Sequence, residues 1–246
     1  MKPYNKQGST KGEEVREMFN TIAPAYDRLN HILSMQIDKI WRARVVNIVK
    51  EFCDGVLDPK ILDLATGTGD LAIAMGKTIS DAKLVGADPS EGMLAVAERK
   101  IEDRELKGKI SLECQSAEEL TLENDSFDVV TAAFGVRNFS DLERGLSEMV
   151  RVTRPNGLVV VLEFSTPPNP IFRTFYTLYS RHILPRIGAL FSRDRKAYEY
   201  LPASVEEFAP KGEFLALMER VGLDRCTAQE QSMGIAQIYV GYKKKY

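Results

Sequence analysis

The stretch Asp63-Leu64-Ala65-Thr66-Gly67-Thr68-Gly69-Asp70 decides the fold. It directly follows an apolar run, Lys60–Ala65, and directly precedes an amphipathic stretch over Asp70–Ile79. That order reads as strand, glycine turn, helix. Gly67 and Gly69 let the backbone turn tightly and approach a ligand closely, and the amides of the following helix face the same ligand. Gly67-Thr68-Gly69-Asp70-Leu71-Ala72 also satisfies the dinucleotide fingerprint G-x-G-x-x-G/A, so the loop alone does not choose the ligand.

Working outward, apolar runs alternate with amphipathic stretches. Strands are predicted at 83–87, 110–114, 127–132 and 158–164, and helices near 91–101 and 141–152. Continuous apolar strands separated by helices indicate a parallel sheet covered on both faces. A helix near 211–221 and strands near 224–229 and 235–242 close the chain as a hairpin-like pair. The expectation is an α/β, doubly wound, mostly parallel, Rossmann-like sheet of seven strands with one antiparallel edge strand. Residues 1–12 read as polar and mobile, and 13–52 as helical with breaks at Pro24 and near Asn30-His31. The predicted organisation is a helical lid over 1–52 and a catalytic domain over 53–246. A segment at about 166–210, opened by Pro167-Pro168 and Pro170, breaks the rhythm as an insertion beside the site.

The composition narrows the function. A chain of 246 residues with 44% apolar residues suits one large domain, and a net charge of −2 gives no global attraction to nucleic acid. Cys53, Cys114 and Cys226 lack metal-ligand spacing, so no metal is expected, and their odd number suits reduced thiols in the cytoplasm. The first residues lack the apolar core of a signal peptide, and no apolar run reaches the roughly 18 residues of a membrane span.

Asp88 lies nineteen positions after Gly69, at the end of the next strand. A carboxylate there can accept both hydroxyl protons of a ribose, which NAD and S-adenosylmethionine (SAM) share. Asp63 favours SAM, because a carboxylate at the strand end suits an ammonium and repels a pyrophosphate. Ser116 and Ala117, in the loop after the third strand, sit where methyltransferases commonly hold adenine.

Further segments resemble one family closely. They are Phe19-Asn20-Thr21-Ile22-Ala23, Tyr26-Asp27-Arg28-Leu29-Asn30, Ala133-Phe134-Gly135-Val136-Arg137-Asn138-Phe139, Leu162-Glu163-Phe164-Ser165, Tyr200-Leu201-Pro202-Ala203-Ser204 and Gly234-Ile235-Ala236. With the glycine loop they resemble the UbiE/MenG-type quinol C-methyltransferases, from about Phe19 to Lys243. The resemblance implies a class I SAM-dependent methyltransferase with SAM contacts at Thr68, Asp88, Ser116, Ala117 and the backbone of Ala133. It implies C-methylation of a polyprenyl quinol, demethylmenaquinol to menaquinol first, with a methoxy-benzoquinol of ubiquinone biosynthesis as the alternative. The sequence departs from the family pattern at Gln36 and Asp38, where Gly and His are more usual, at Asn156 for Gly, and at Tyr239 for His.

Arg137, Tyr26 and Asn138 are the catalytic candidates. Arg137 is too basic to take a proton but can stabilise a phenolate or orient a water; its plain structural role is to brace the loop against a carboxylate. Asn138 can hydrogen-bond a quinol oxygen, and Tyr26 can reach substrate from the lid. Asp27, Asn30 and Glu163 rank lower, and Trp41 reads as lid packing. In the insertion, Ile171, Phe172, Phe175, Tyr176, Tyr179, Ile183 and Leu184 recur at nearly helical spacing, and residues 171–196 carry six cationic residues against one acid. That pattern suits peripheral contact with an anionic membrane at its inner face. A homodimer stays open. Competing readings are an NAD(P)-dependent oxidoreductase, an RNA methyltransferase and a non-catalytic SAM- or quinone-binding protein. The first does not explain residues 133–139, and the second lacks an RNA-binding module.

Overall fold

A computed structural model describes residues 1–178 and 194–245. The chain opens with α1 (Lys11–Leu33) and α2 (Ile37–Cys53), then alternates β1 (Lys60–Leu64), α3 (Asp70–Thr78), β2 (Lys83–Ala87), α4 (Glu91–Glu102) and β3 (Ile110–Glu113). It continues with β4 (Phe127–Ala133), a 3-10 turn at Val136–Asn138, α5 (Leu142–Val152), β5 (Thr153–Phe164) and α6 (Pro170–Leu178). After residues 179–193 come α7 (Arg195–Glu207), α8 (Lys211–Arg220), β6 (Leu223–Gln231) and β7 (Ala236–Lys243).

The seven strands lie in the order β3-β2-β1-β4-β5-β7-β6. The first five are parallel, and the antiparallel edge is a hairpin in which β7 runs against both β5 and β6. Both faces are covered, which is why the strands read as unbroken apolar runs. Ile61, Leu84, Val129 and Val160 face a core shared with α2 and α3. Leu62, Val130, Val159 and Val161 face a second core with α5 and α8. The strand order reverses between β1 and β4, and open α/β sheets bind ligands at the carboxyl ends of the strands beside such a point.

Three details of the amino-terminal region differ from the sequence reading. α1 runs unbroken through Pro24, which removes one helical donor without ending the helix. The break falls instead at Ser34–Gln36, where Met35 and Gln36 take positive φ of 51° and 63°. Residues 1–10 are tied down, because the buried Glu14 carboxylate accepts the amides of Tyr4 (2.6 Å) and Lys6 (2.8 Å). α2 packs into the sheet's core through Trp41, Val45, Val46 and Val49. Covering the cavity therefore falls to α1, which shares a small core with Met93 of α4 and with Ala197 and Tyr200 of α7.

Candidate active site

A cavity of about 680 Å³ crosses the carboxyl ends of four neighbouring strands. In spatial order it meets Ser116 and Ala117 after β3, Asp88 after β2, Asp63 and Gly67 at β1, and Ala133 and Asn138 at β4. Thr10, Phe19 and Tyr26 close it from the α1 side. The volume lies within the range of small-molecule sites.

Local geometry explains the glycine loop. Gly67 and Gly69 take φ of 57° and 80°, and open space lies where a Gly67 side chain would project. Gly69 serves packing, since a Cβ there would lie 3.2 Å from Ala97 of α4. The loop after β4 presses on this one: a Cβ on Gly135 would meet the Ala65 Cβ at 2.4 Å.

Asp63 and Asp88 are both buried. Asp63 accepts the hydroxyls of Thr66 (2.7 Å) and Thr131 (2.8 Å). Asp88 accepts the amides of Gly67 (2.9 Å) and Ser90 (2.8 Å). Burial pushes each carboxyl up to about 6, against a few hydrogen bonds that pull it down. Asp63 also accepts the Ala72 amide, and each carboxylate keeps an acceptor position for a ligand hydroxyl or ammonium. Ser116 donates to Glu118 within its own loop, and the Glu118 amide turns back to the Ser116 hydroxyl at 3.4 Å.

The cover is latched to the loop. Thr68 donates to Asp27 of α1, while Lys100 of α4 bridges Asp27 (2.6 Å) and Asp70 (2.5 Å). Asn20 accepts from the Ser90 hydroxyl and the Gly92 amide, both at 2.8 Å, so the Phe19–Ala23 motif docks α1 onto the start of α4. Tyr26 packs edge-on to Phe19 at 5.8 Å while lining the cavity.

The turn after β4 separates the two candidates it carries. Asn138 lines the cavity and its side-chain oxygen accepts from Tyr200 at 3.2 Å. Arg137 turns away, so the structure places it in its bracing role and not among the cavity-lining residues. Its guanidinium is buried, pairs with Glu163 at 2.7 Å, donates to the Phe134 carbonyl and Ser204, and stacks 5.4 Å from the Phe164 ring centroid. Burial works against this charge, and Glu163 more than restores it, holding the guanidinium above its ordinary value. Lys11 donates to the carbonyls of Arg137 (3.2 Å) and Phe139 (2.7 Å), a contact no local motif announces.

The model of the ubiE/COQ5 methyltransferase family matches residues 6–243. The chain belongs to this family. A demethylmenaquinone methyltransferase of Bacteroides fragilis is 41% identical over 99% of this chain and 97% of its own. The ubiquinone/menaquinone biosynthesis C-methyltransferase UbiE of Geobacter sulfurreducens is 44% identical over 95% of this chain and 90% of its own. Among solved structures, a SAM-dependent methyltransferase from Aquifex aeolicus superposes with a TM-score of 0.56 at 18% identity, over 80% of this chain and 87% of that one. Another from Thermotoga maritima gives 0.62 at 16%, over 93% and 99%; these two share the fold.

The departures from the UbiE/COQ5 pattern now have local explanations. Gln36 and Asn156 occupy left-handed backbone, with φ of 63° and 60°, where glycine is least strained. Asp38, in place of a histidine, is buried and paired with Arg42 one turn on. Tyr239 is buried with its hydroxyl lacking a partner among the described residues. Among those residues no group of three metal-ligating side chains converges, and the three cysteines are free thiols.

Proposed function

We propose that the protein transfers a methyl group from SAM to a ring carbon of a polyprenyl quinol, converting demethylmenaquinol to menaquinol. The observation that carries this is the order of groups along one cavity: Ser116, Asp88, Asp63, then Asn138. Adenine, ribose, amino-acid end and methyl acceptor follow the same order in a SAM-dependent transfer. The residues fit the cofactor: two buried carboxylates with lone pairs to spare flank a glycine turn whose outer side is open.

Bound SAM supplies an activated methyl whose bond electrons leave with the sulfur. The remaining work falls to the chain. Asp88 takes the ribose hydroxyls, Asp63 faces the ammonium, and the Ser116–Ala117 backbone borders adenine. Gly67, Thr68 and the Ala133 backbone shape the methionine pocket, and Gly69 lets the turn close against α4. Asn138 and Tyr26 contact the quinol. Arg137, neutralised by Glu163, braces from behind the turn that presents Asn138 to the ring. The α1 cover excludes water and aligns the ring. The ring hydrogen leaves as a proton, so quinol and SAM give methylated quinol, S-adenosylhomocysteine and one proton.

The quinol's tail calls for an apolar entry. Met35 and Ile40 of the α1–α2 region, Met233 between β6 and β7, and Ile171 and Phe172 of α6 are all exposed. Their segments meet: Trp41 donates to Ser232 at 3.0 Å, and Gly234 lies against Pro168. This apolar rim contacts the membrane surface peripherally and admits the tail. Tyr179, Ile183, Leu184, Arg181, Arg186 and Arg193 lie outside the described residues. No helix among the described residues is long and apolar enough to cross a membrane.

The deciding experiment incubates the protein with methyl-labelled SAM and short-chain demethylmenaquinol under reducing conditions. Label in the extracted quinone, lost in Asp88→Ala, supports the reading. SAM binding without transfer moves the assignment to a benzoquinol, and then to a non-catalytic binder. Replacing Met35, Ile40 and Met233 together by serine should weaken liposome co-sedimentation and leave short-chain turnover intact; unchanged co-sedimentation removes the membrane contact.

A further inference from the structure

The Tyr200–Ser204 motif has no part in the transfer as described, yet its two polar residues lie one helical turn apart on α7 and face the site turn. Both are buried, at 3% and 4% exposure. The Tyr200 hydroxyl reaches Asn138 Oδ1 at 3.2 Å, and Ser204 Oγ accepts from Arg137 Nε at 3.2 Å. Ser204 spends its own proton on the Leu201 carbonyl at 2.8 Å, which leaves it only as an acceptor for Arg137.

We propose that Tyr200 and Ser204 are positioning residues for the transfer step. Tyr200 fixes the Asn138 amide so that its NH2 faces the cavity, and Ser204 holds Arg137 against Glu163. This rests on the reading that the quinol lies beside Asn138.

The orientation follows from the hydrogen bond that Tyr200 makes. The Tyr200 hydroxyl, buried on α7, donates to the Asn138 side-chain oxygen at 3.2 Å. Burial pushes the Tyr200 hydroxyl up to about 12, so it stays a donor through the neutral range. A donated proton selects the amide oxygen, and the NH2 is what Asn138 then presents to the cavity it lines. An amide donor binds a phenolate more strongly than a neutral hydroxyl. The reversed amide would set its carbonyl dipole against the oxyanion. The helix that ends the insertion thereby sets the chemistry of a turn 62 residues earlier.

The test compares wild type with Tyr200→Phe, Ser204→Ala and Ser204→Thr. SAM affinity, kcat and KM for short-chain demethylmenaquinol, and the pH profile of kcat are measured. Binding of 4-methoxy-1-naphthol, a redox-stable naphthol, to the S-adenosylhomocysteine complex is followed beside them. Tyr200→Phe should keep SAM affinity within about twofold and lower kcat about tenfold, as for one lost hydrogen bond. The acid limb of its profile should move up by about one pH unit, and naphthol binding should weaken about tenfold. Ser204→Ala should lose activity severalfold and Ser204→Thr regain it.

An unchanged profile and kcat in Tyr200→Phe overturn the proposal. So does a loss shared in proportion by SAM affinity and thermal stability, because that marks a merely structural role. If wild type binds SAM, transfers nothing, and still holds naphthol more tightly than Tyr200→Phe, the substrate reading fails and the positioning stands. Equal naphthol binding overturns the positioning whatever the transfer assay gives.

Discussion

The two walls of the cavity are held together over very different spans of chain. On the wall of β1, β2 and β3, Asp63 meets Thr66 three residues away, Asp88 meets Ser90 two away, and Asp88 reaches Gly67 across 21 residues; the one longer reach, from Thr131 to Asp63 across 68, comes from the register-paired residue of the neighbouring strand β4. On the opposite wall, Asn138 meets Tyr200 across 62 residues and Lys11 reaches the Phe139 carbonyl across 128, while behind the cover Tyr4 meets Asp194 across 190. The first wall is set by strand ends and tight turns, the second by side chains from segments that fold separately. Rigid placement suits a cofactor of fixed shape, whereas a cover assembled from distant parts can part to admit a ring with a long tail.

The largest effect expected on this contrast comes from the brace of the second wall. Arg137→Met leaves Glu163 buried and unpaired, at 0% exposure. Breaking one partner of a buried pair costs about 3–5 kcal/mol. Urea denaturation should show that loss, and SAM binding to the surviving folded protein should fall much less. A loss below about 1 kcal/mol would mean that water reaches Glu163 and that this wall is looser than its geometry.

The first wall is tested by pH. Asp63 and Asp88 titrate near 6 in the folded, unliganded protein because burial raises them from 3.8. Between about pH 4 and 6 the folded chain thus binds more protons than the unfolded one, and this contribution to stability is lost as pH rises through 6. SAM has the opposite preference, since its cationic end and ribose favour the charged carboxylates. Its affinity should fall on the order of tenfold from pH 7 to 5, with proton release on binding at the low end. Calorimetry in two buffers of different ionisation enthalpy measures both. A flat affinity over that range would show that the pair is already ionised at pH 5 in the free protein or does not touch the cofactor, and the proton release separates the two.

The same contrast explains what could be read in advance. The strand–turn–helix at 60–79, the carboxylates at 63 and 88, and the strand order of a doubly wound sheet all follow from short-range pattern. Neither end of the cover did. Residues 1–10 read as mobile because a polar stretch with Gly8 says nothing of Glu14 waiting to bind its amides. Pro24 read as a helix end because its steric rule is local, while the packing of Ile22 and Ala23 on α4 and α7 holds the helix through it. The sequence leaves Arg137 two roles, stabilising a phenolate or bracing the loop. Its true direction depends on Glu163 and Ser204, which no periodicity pairs with it. Lys100 had no signal at all, being one more lysine on a helix face.

Lys100 is where the two walls join, so Lys100→Met separates them. Its ammonium, 16% exposed, bridges Asp27 and Asp70. Partly screened pairs of this kind contribute about 1 kcal/mol or less each. The expected outcome is a severalfold faster SAM off-rate and faster proteolysis within α1, with little change in global stability. Unchanged off-rate and proteolysis would show that the Thr68–Asp27 bond, Asn20 and the small core around Met18 hold the cover without it.

The smallest effect lies deep in the second core, where Tyr239 replaces the family's usual histidine. Val161 pairs with it in register, and Phe214 packs on its ring at 4.6 Å. Its hydroxyl is buried with no partner among the described residues, and burial pushes its ionisation far up. A buried donor without an acceptor costs about 1–3 kcal/mol, while the ring's packing is favourable. Tyr239→Phe removes the first and keeps the second, so stability should stay level or rise by up to about 1 kcal/mol. Thermal unfolding decides it, with methyl transfer unchanged. A clear destabilisation would mean that the hydroxyl holds a water or reaches the Glu163 carboxylate, which would extend the brace behind Arg137 by one more member.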